Sequence, residues 1–169
     1  MFRKVEDFTK SWPHHRNSVI NLLKQLTDAS LHQAVCAGHR TIDRLCWHII
    51  ATIPEMMART GLLIHFDGKW EKMPDSLSAA NIVDLYTQVS DELIKQIELN
   101  WNDDTLLVAD DMYGEQWQRG LTLTILISHE IHHLGQLTVL MRQAGLPVPG
   151  LYGPSKEEWT QYNAPAPEV

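Results

Sequence analysis

The sequence predicts an all-α protein: a four-helix bundle with long connections after the second and third helices. Three observations predict it. Four segments repeat apolar residues at intervals of three and four, the period of one helix face. No comparable stretch alternates apolar and polar residues as a half-buried strand would. Between the segments the chain is punctuated by helix-stopping residues, among them Gly38, Gly61, Gly68, Pro74, Gly114, Gly145 and Pro147.

The first segment lies between Val5 and Ser30. Trp12-Pro13 interrupts its start, so the pattern predicts a helix from about Ser11 with Pro13 in its first turn, where proline's missing N–H costs nothing. Val19, Leu22, Leu23 and Leu26 then form its stripe. The second segment runs from Thr41 to Thr60, with Ile42, Leu45, Ile49, Ile53, Met56 and Met57 on one face. Pro54 interrupts that face and predicts a kink or a lost hydrogen bond. Leu62 to Ser78 reads as a connection. The third segment, Ala79 to Leu99, has Ser78 or Asn81 as its cap and Ile82, Leu85, Val89, Leu93 and Ile97 as its stripe. Asn100 to Gly120 reads as a second connection pinned by Trp101 and Trp117, with short extended structure around Thr105–Val108. The fourth segment runs from Leu121 to Ala144, and Gly145 with Pro147 ends it. Ser155 with Glu158 matches a capping box, which predicts a short helix over Lys156–Tyr162. Residues 1–163 then form one bundle domain, and 164–169 a frayed tail.

A chain of 169 residues can bury one full core. Its 14 Lys and Arg against 21 Asp and Glu give a net charge of −7. That surface repels phosphate, which argues against nucleic acid and anionic membranes as partners. No apolar run reaches the roughly 18–20 residues of a membrane span, and the N-terminus lacks a signal peptide's apolar core. Cys36 and Cys46 lack metal-type pairing and point to a reducing, cytoplasmic setting.

The chemistry concentrates in the fourth segment, at His129-Glu130-Ile131-His132-His133-Leu134-Gly135-Gln136. His129 and His133 are four apart, so a helix presents both imidazoles on one face, a common half-site for a divalent transition metal. A bundle builds such sites from side chains on facing helices, so the third ligand belongs on the stripe of another segment. His48 is three after Leu45 and meets that requirement. His132 competes with His133 for the same face, and the four-residue spacing favours His133. His14, His15, His32, His39 and His65 fall at helix starts or in loops, where exposure is expected. Glu130, about 100° round the helix from His129, is a candidate for taking a proton from a ligand or from bound water. Gln136 is a candidate for orienting a ligand or substrate.

This pattern resembles the DinB/YfiT-like superfamily of metal-binding four-helix proteins, in which one His on the second helix joins a His-x3-His pair on the fourth. Here the matching stretches are Asp43-Arg44-Leu45-Cys46-Trp47-His48 and His129 to Leu137, with Leu134 where a basic residue is usual. Met141-Arg142-Gln143-Ala144-Gly145-Leu146 and Tyr113-Gly-Glu-Gln-Trp117 are also similar to the family's pattern. The resemblance implies a left-handed up-down-down-up bundle, a metal site of His48, His129 and His133, and often a homodimer. It further implies thiol-dependent S-transferase or isomerase chemistry. There a divalent metal, zinc or nickel foremost, activates a low-molecular-weight thiol such as bacillithiol or mycothiol against a small electrophile. Two other readings stand beside it. His129 to His133 also satisfies H-E-x-x-H, with Glu130 as the base of a metallohydrolase, although no His follows His133 as a third ligand. The metal could instead serve a non-catalytic, stress-related role.

Overall fold

The computed structural model describes residues 1–168. Four helices carry the fold: α1 (Val5–Leu23), α2 (Ile42–Arg59), α3 (Ala79–Asn100) and α4 (Arg119–Gln143). Round the bundle the order is α1, α3, α2, α4, with α4 returning to touch α1. Of the helices consecutive in the chain, α2 and α3 are neighbours, whereas α1 with α2 and α3 with α4 are not, and residues 24–41 and 101–118 provide the reach those two steps require. No helix among the described residues is long and apolar enough to cross a membrane.

The first helix begins at Val5, six residues before the position the Pro13 pattern predicts, and Pro13 lies in its interior. Tertiary contacts explain the difference. Phe8 and Trp12 on the upstream turns are fully buried, and Phe2, Phe8 and Trp12 pack in sequence at ring distances of 5.3 and 5.4 Å. The Val5 N–H donates to Asp103 Oδ1 at 2.9 Å, and Glu6 and Asp7 suit the positive end of the helix. Burying two aromatic side chains outweighs the roughly 3 kcal/mol that an interior proline costs. Proline 54 is likewise carried within α2, buried, with no break in the helix. Because Pro54 has no N–H, the Ile50 carbonyl forgoes its bond four residues on.

The cap of α3 is Ser78. Its Oγ accepts from the Asn81 N–H at 3.1 Å, while Asn81 Oδ1 accepts from the Ser78 hydroxyl at 2.8 Å. Among the described residues, the second connection holds a two-stranded sheet, a departure from an all-helical chain. The extended structure lies downstream of Thr105–Val108, whose first residues instead belong to a 3-10 turn at Asp104–Leu107. It is a hairpin of β1 (Ala109–Met112) against β2 (Glu115–Gln118), with Ala109 opposite Gln118. Tyr113 and Gly114 both take positive φ, 61° and 89°, the pairing that suits a two-residue hairpin turn. Trp101 is buried and Trp117 half-buried, so both pin this connection as expected.

After α4 the chain crosses back as a strap. A 3-10 helix occupies Lys156–Tyr162, where Glu158 accepts from the Ser155 N–H at 2.9 Å and Arg142 reaches Glu157 at 2.7 Å. Residues 165–168 form no regular element, and Val169 of the expected tail lies outside the described residues. The core between the helices is aliphatic and aromatic, with Ile49, Ile53, Tyr86, Leu93, Leu126 and Leu137 fully buried.

Candidate metal centre

His48 of α2 meets His129 and His133 of α4 where the two helices pack. His129 Nε2 lies 3.2 Å from His48 Nε2 and 3.1 Å from His133 Nε2. One nitrogen from each ring falls within 4.8 Å of the others, so the three could hold a metal ion. His133 Nδ1–H donates to Gln136 Oε1 at 2.8 Å, which leaves the Nε2 lone pair directed into the cluster.

Electrostatics favour the form that binds metal. Burial, and then the neighbouring His133 and His129, push the His48 pKa down to about 4. Burial, and then His133 and His132, push His129 down to about 4 as well. Burial also lowers His133. All three rings are therefore neutral at pH 7, with lone pairs free to coordinate. The spacing fits too: nitrogens about 2.0–2.1 Å from a tetrahedral zinc stand about 3.3 Å apart. Among the described residues the buried His129 Nδ1 has no hydrogen-bond partner.

The other residues of the motif divide. His132 is exposed and meets the Gln136 amide nitrogen at 3.2 Å, outside the cluster. Gln136 thus touches both His132 and His133, as its candidacy for orienting a ligand requires. Glu130 points away from the centre and is completely buried. Its Oε2 accepts from Tyr86 Oη of α3 at 3.0 Å and meets His15 Nε2 of α1 at 2.6 Å. No metal-bound water could reach it, which corrects the expectation of Glu130 as a proton acceptor in a metallohydrolase. The reason is rotational: one residue is about 100° of helix, enough to turn Glu130 from α2 toward α1 and α3.

His15 is a second correction. Its expected exposure depended on a helix starting near Ser11; with α1 starting at Val5, His15 follows the buried Trp12 by three and shares its inner face. Its Nδ1 meets Tyr152 Oη of the strap, so a hydrogen-bonded chain Tyr152–His15–Glu130–Tyr86, exposed at Tyr152 and buried at the other three, ties the strap, α1, α4 and α3 together.

A cavity of about 560 Å³ opens beside the histidines. His48 and His129 form part of its wall, with Met56, Trp70, Tyr113, Trp117 and Ile125 among the others. The hairpin delivers Tyr113 and Trp117, whose rings meet edge-on at 5.9 Å. Tyr113 Oη donates to Glu55 Oε2 at 2.6 Å, Arg59 reaches Glu55 Oε1 at 2.8 Å, and the Arg59 guanidinium lies 4.2 Å over the Tyr113 ring. Burial and then Glu55 raise the Tyr113 pKa to about 12. The cavity role of Trp70, Tyr113 and Glu55 was not evident in the sequence. The available signals were Tyr113-Gly114 between short runs, a hairpin turn pattern, and the resemblance of Tyr113–Trp117 to the family's pattern, neither of which points to a cavity.

The profile of the DinB family matches residues 1–168. Across the full length of both proteins the chain is 40% identical to the uncharacterized protein YrdA of Bacillus subtilis strain 168. A crystal structure of a DinB-like protein from Bacillus cereus ATCC 10987 is similar at 39% identity and a TM-score of 0.83, covering 90% of this chain and all of that one. The DinB-like protein YjoA of Bacillus subtilis, 18% identical, shares the fold at a TM-score of 0.66 over 86% of this chain and 97% of its own. A helical bundle with three convergent histidines, matched over almost its whole length, thus belongs to the DinB family.

Proposed function

We propose that His48, His129 and His133 hold a divalent transition metal, zinc or nickel foremost, and that the protein is an S-transferase. Its substrates would be a low-molecular-weight thiol and a small electrophile. The observation that carries the reading is the convergence of three neutral imidazole nitrogens, two of whose rings, His48 and His129, line a cavity. Three protein ligands leave a tetrahedral ion one further position. When bound, the metal lowers the pKa of a coordinated thiol so that sulfur is available as thiolate.

The chain's own residues do the rest. The three imidazoles supply lone pairs, and Gln136 holds the His133 ring by accepting its Nδ1–H. Trp70, Trp117 and Met56 give the electrophile an apolar wall. Tyr113, held by Glu55, presents a neutral phenol at the rim. In the net reaction a carbon–sulfur bond forms, the thiol proton passes to solvent, and the leaving group departs with the bonding electrons. The resemblance to bacillithiol- and mycothiol-dependent enzymes supports the choice of thiol. A homodimer and a reducing, cytoplasmic setting, suited to the free Cys36 and Cys46, belong to the same reading.

The test uses cobalt-substituted protein. A sulfur-to-metal charge-transfer band should appear on adding a small thiol, and thiol-dependent consumption of a generic electrophile should accompany it. His48→Ala, His129→Ala and His133→Ala should each abolish both signals. His132→Ala should leave them largely intact, and Gln136→Ala should weaken metal binding by about 10–100-fold. Tight cobalt binding with no thiol band would leave a metal-binding protein without the transferase. No cobalt binding would overturn the reading altogether.

A further inference from the structure

We propose that Arg40 and Arg44 form a carboxylate-binding subsite at the mouth of the histidine triad, so that the thiol reaching the triad is one that carries a carboxylate. The proposal rests on the triad being a metal centre open to a small molecule, as argued above.

The first observation is a mismatch of charge. The protein is acidic overall, at −7, and most of its arginines are matched. Arg16 pairs with Asp91 at 2.7 Å, Arg59 with Glu55 at 2.8 Å, Arg119 with Asp110 at 2.8 Å and Arg142 with Glu157 at 2.7 Å. Among the described residues, Arg40 and Arg44 have no carboxylate within ion-pair distance, a condition shared only with Arg3 near the chain start. Arg44 makes one weak side-chain contact, to Met73 Sδ at 3.8 Å. Helix stability does not explain its place, because a cation in the first turn of α2 opposes the helix dipole.

The second observation is location. Arg40 and Arg44 line a groove of about 250 Å³ together with Trp47, His48 and Trp70. His48 and Trp70 also line the larger cavity, so groove and cavity meet at a triad histidine. Arg40 further borders an apolar depression of about 420 Å³ that includes Gln136. Glu71 also lines both the groove and the cavity, so the two arginines outnumber the one carboxylate among the groove's charged lining residues. A planar guanidinium pairs with a carboxylate through two parallel hydrogen bonds, and the flanking indoles add an apolar face for the ligand's stem.

The experiment compares two probes with similar sulfur but different charge, 3-mercaptopropionate and 2-mercaptoethanol, on the cobalt-loaded full chain. Binding is read from the charge-transfer band at low ionic strength. The carboxylate-bearing thiol should bind about tenfold tighter or more, since a hydrogen bond to a charged group is worth roughly that factor. Arg40→Gln with Arg44→Gln should remove the advantage without changing cobalt affinity or 2-mercaptoethanol binding. Equal binding of the two thiols, or an advantage that survives both substitutions, overturns the proposal. In parallel, succinate is titrated against metal-free protein and followed by tryptophan fluorescence, because Trp47 and Trp70 line the groove. If neither thiol gives a band, the metal–thiol reading fails by itself. Quenching by succinate that depends on the two arginines then still upholds the subsite, and its absence overturns it.

Discussion

At the scale of single residues, Glu130 is the strongest test of how the structure departs from motif reading. It is a buried carboxylate with His15 and Tyr86 on one oxygen and no partner on the other. Glu130→Ala would strand two buried polar groups from two other helices. The expected cost is about 3–5 kcal/mol, the range for removing one member of a buried pair, measured by urea denaturation. A loss below about 1 kcal/mol, the level of an exposed pair, would mean the cluster is solvated.

The histidines make a second residue-scale prediction. His48 and His129 have folded pKa values of about 4, against 6.5 for the free side chain. Between these values the unfolded chain takes up protons that the folded chain does not. Stability of the metal-free protein should therefore be full above about pH 6.5 and fall as the pH drops toward about 4. Urea midpoints across that window check the sign, and His48→Ala should flatten the slope.

At the scale of elements, Pro13 lies within α1 on an exposed position while Phe8, Trp12 and His15 hold the inner face. Pro13→Ala restores a backbone donor and removes the ring's clash with the preceding turn. The folded helix should gain, offset by a more flexible unfolded chain, for a net stabilisation on the order of 1–2 kcal/mol. A thermal melt that falls instead would show that Pro13 is needed to seat the N-terminal turn. The hairpin is the other element with consequences, because its two-residue turn decides where Tyr113 and Trp117 stand over the cavity.

For the whole molecule, metal binding and folding are linked, since the three imidazoles come together only when α2 and α4 pack. A metal at about one hundred times its Kd adds about 2.7 kcal/mol, and for a chain of this size each kcal/mol moves Tm by about 2–4 °C. Differential scanning calorimetry should show zinc or nickel raising Tm by about 5–10 °C in the native protein and not in His129→Ala. An equal rise in both would place the metal elsewhere.

Much of this was legible from the chain because its cause is local. Apolar spacing, Gly145 and the Ser78–Asn81 cap delimit helices α2, α3 and α4 to within a residue or two of where they lie. The four-residue spacing of His129 and His133 places both on one face of α4, and His48 lies on the stripe of the helix that meets them. What tertiary structure alone decided is non-local. The start of α1 depends on Phe8 and Trp12 finding a core and Val5 finding Asp103, 98 residues away. The burial of His15 follows from that start. The rotation of α4 that gives Glu130 to α1 and α3, and leaves the histidines to α2, is set by packing on three sides at once. Arg40 and Arg44 read as ordinary surface charge until the fold shows which carboxylates the other arginines have taken.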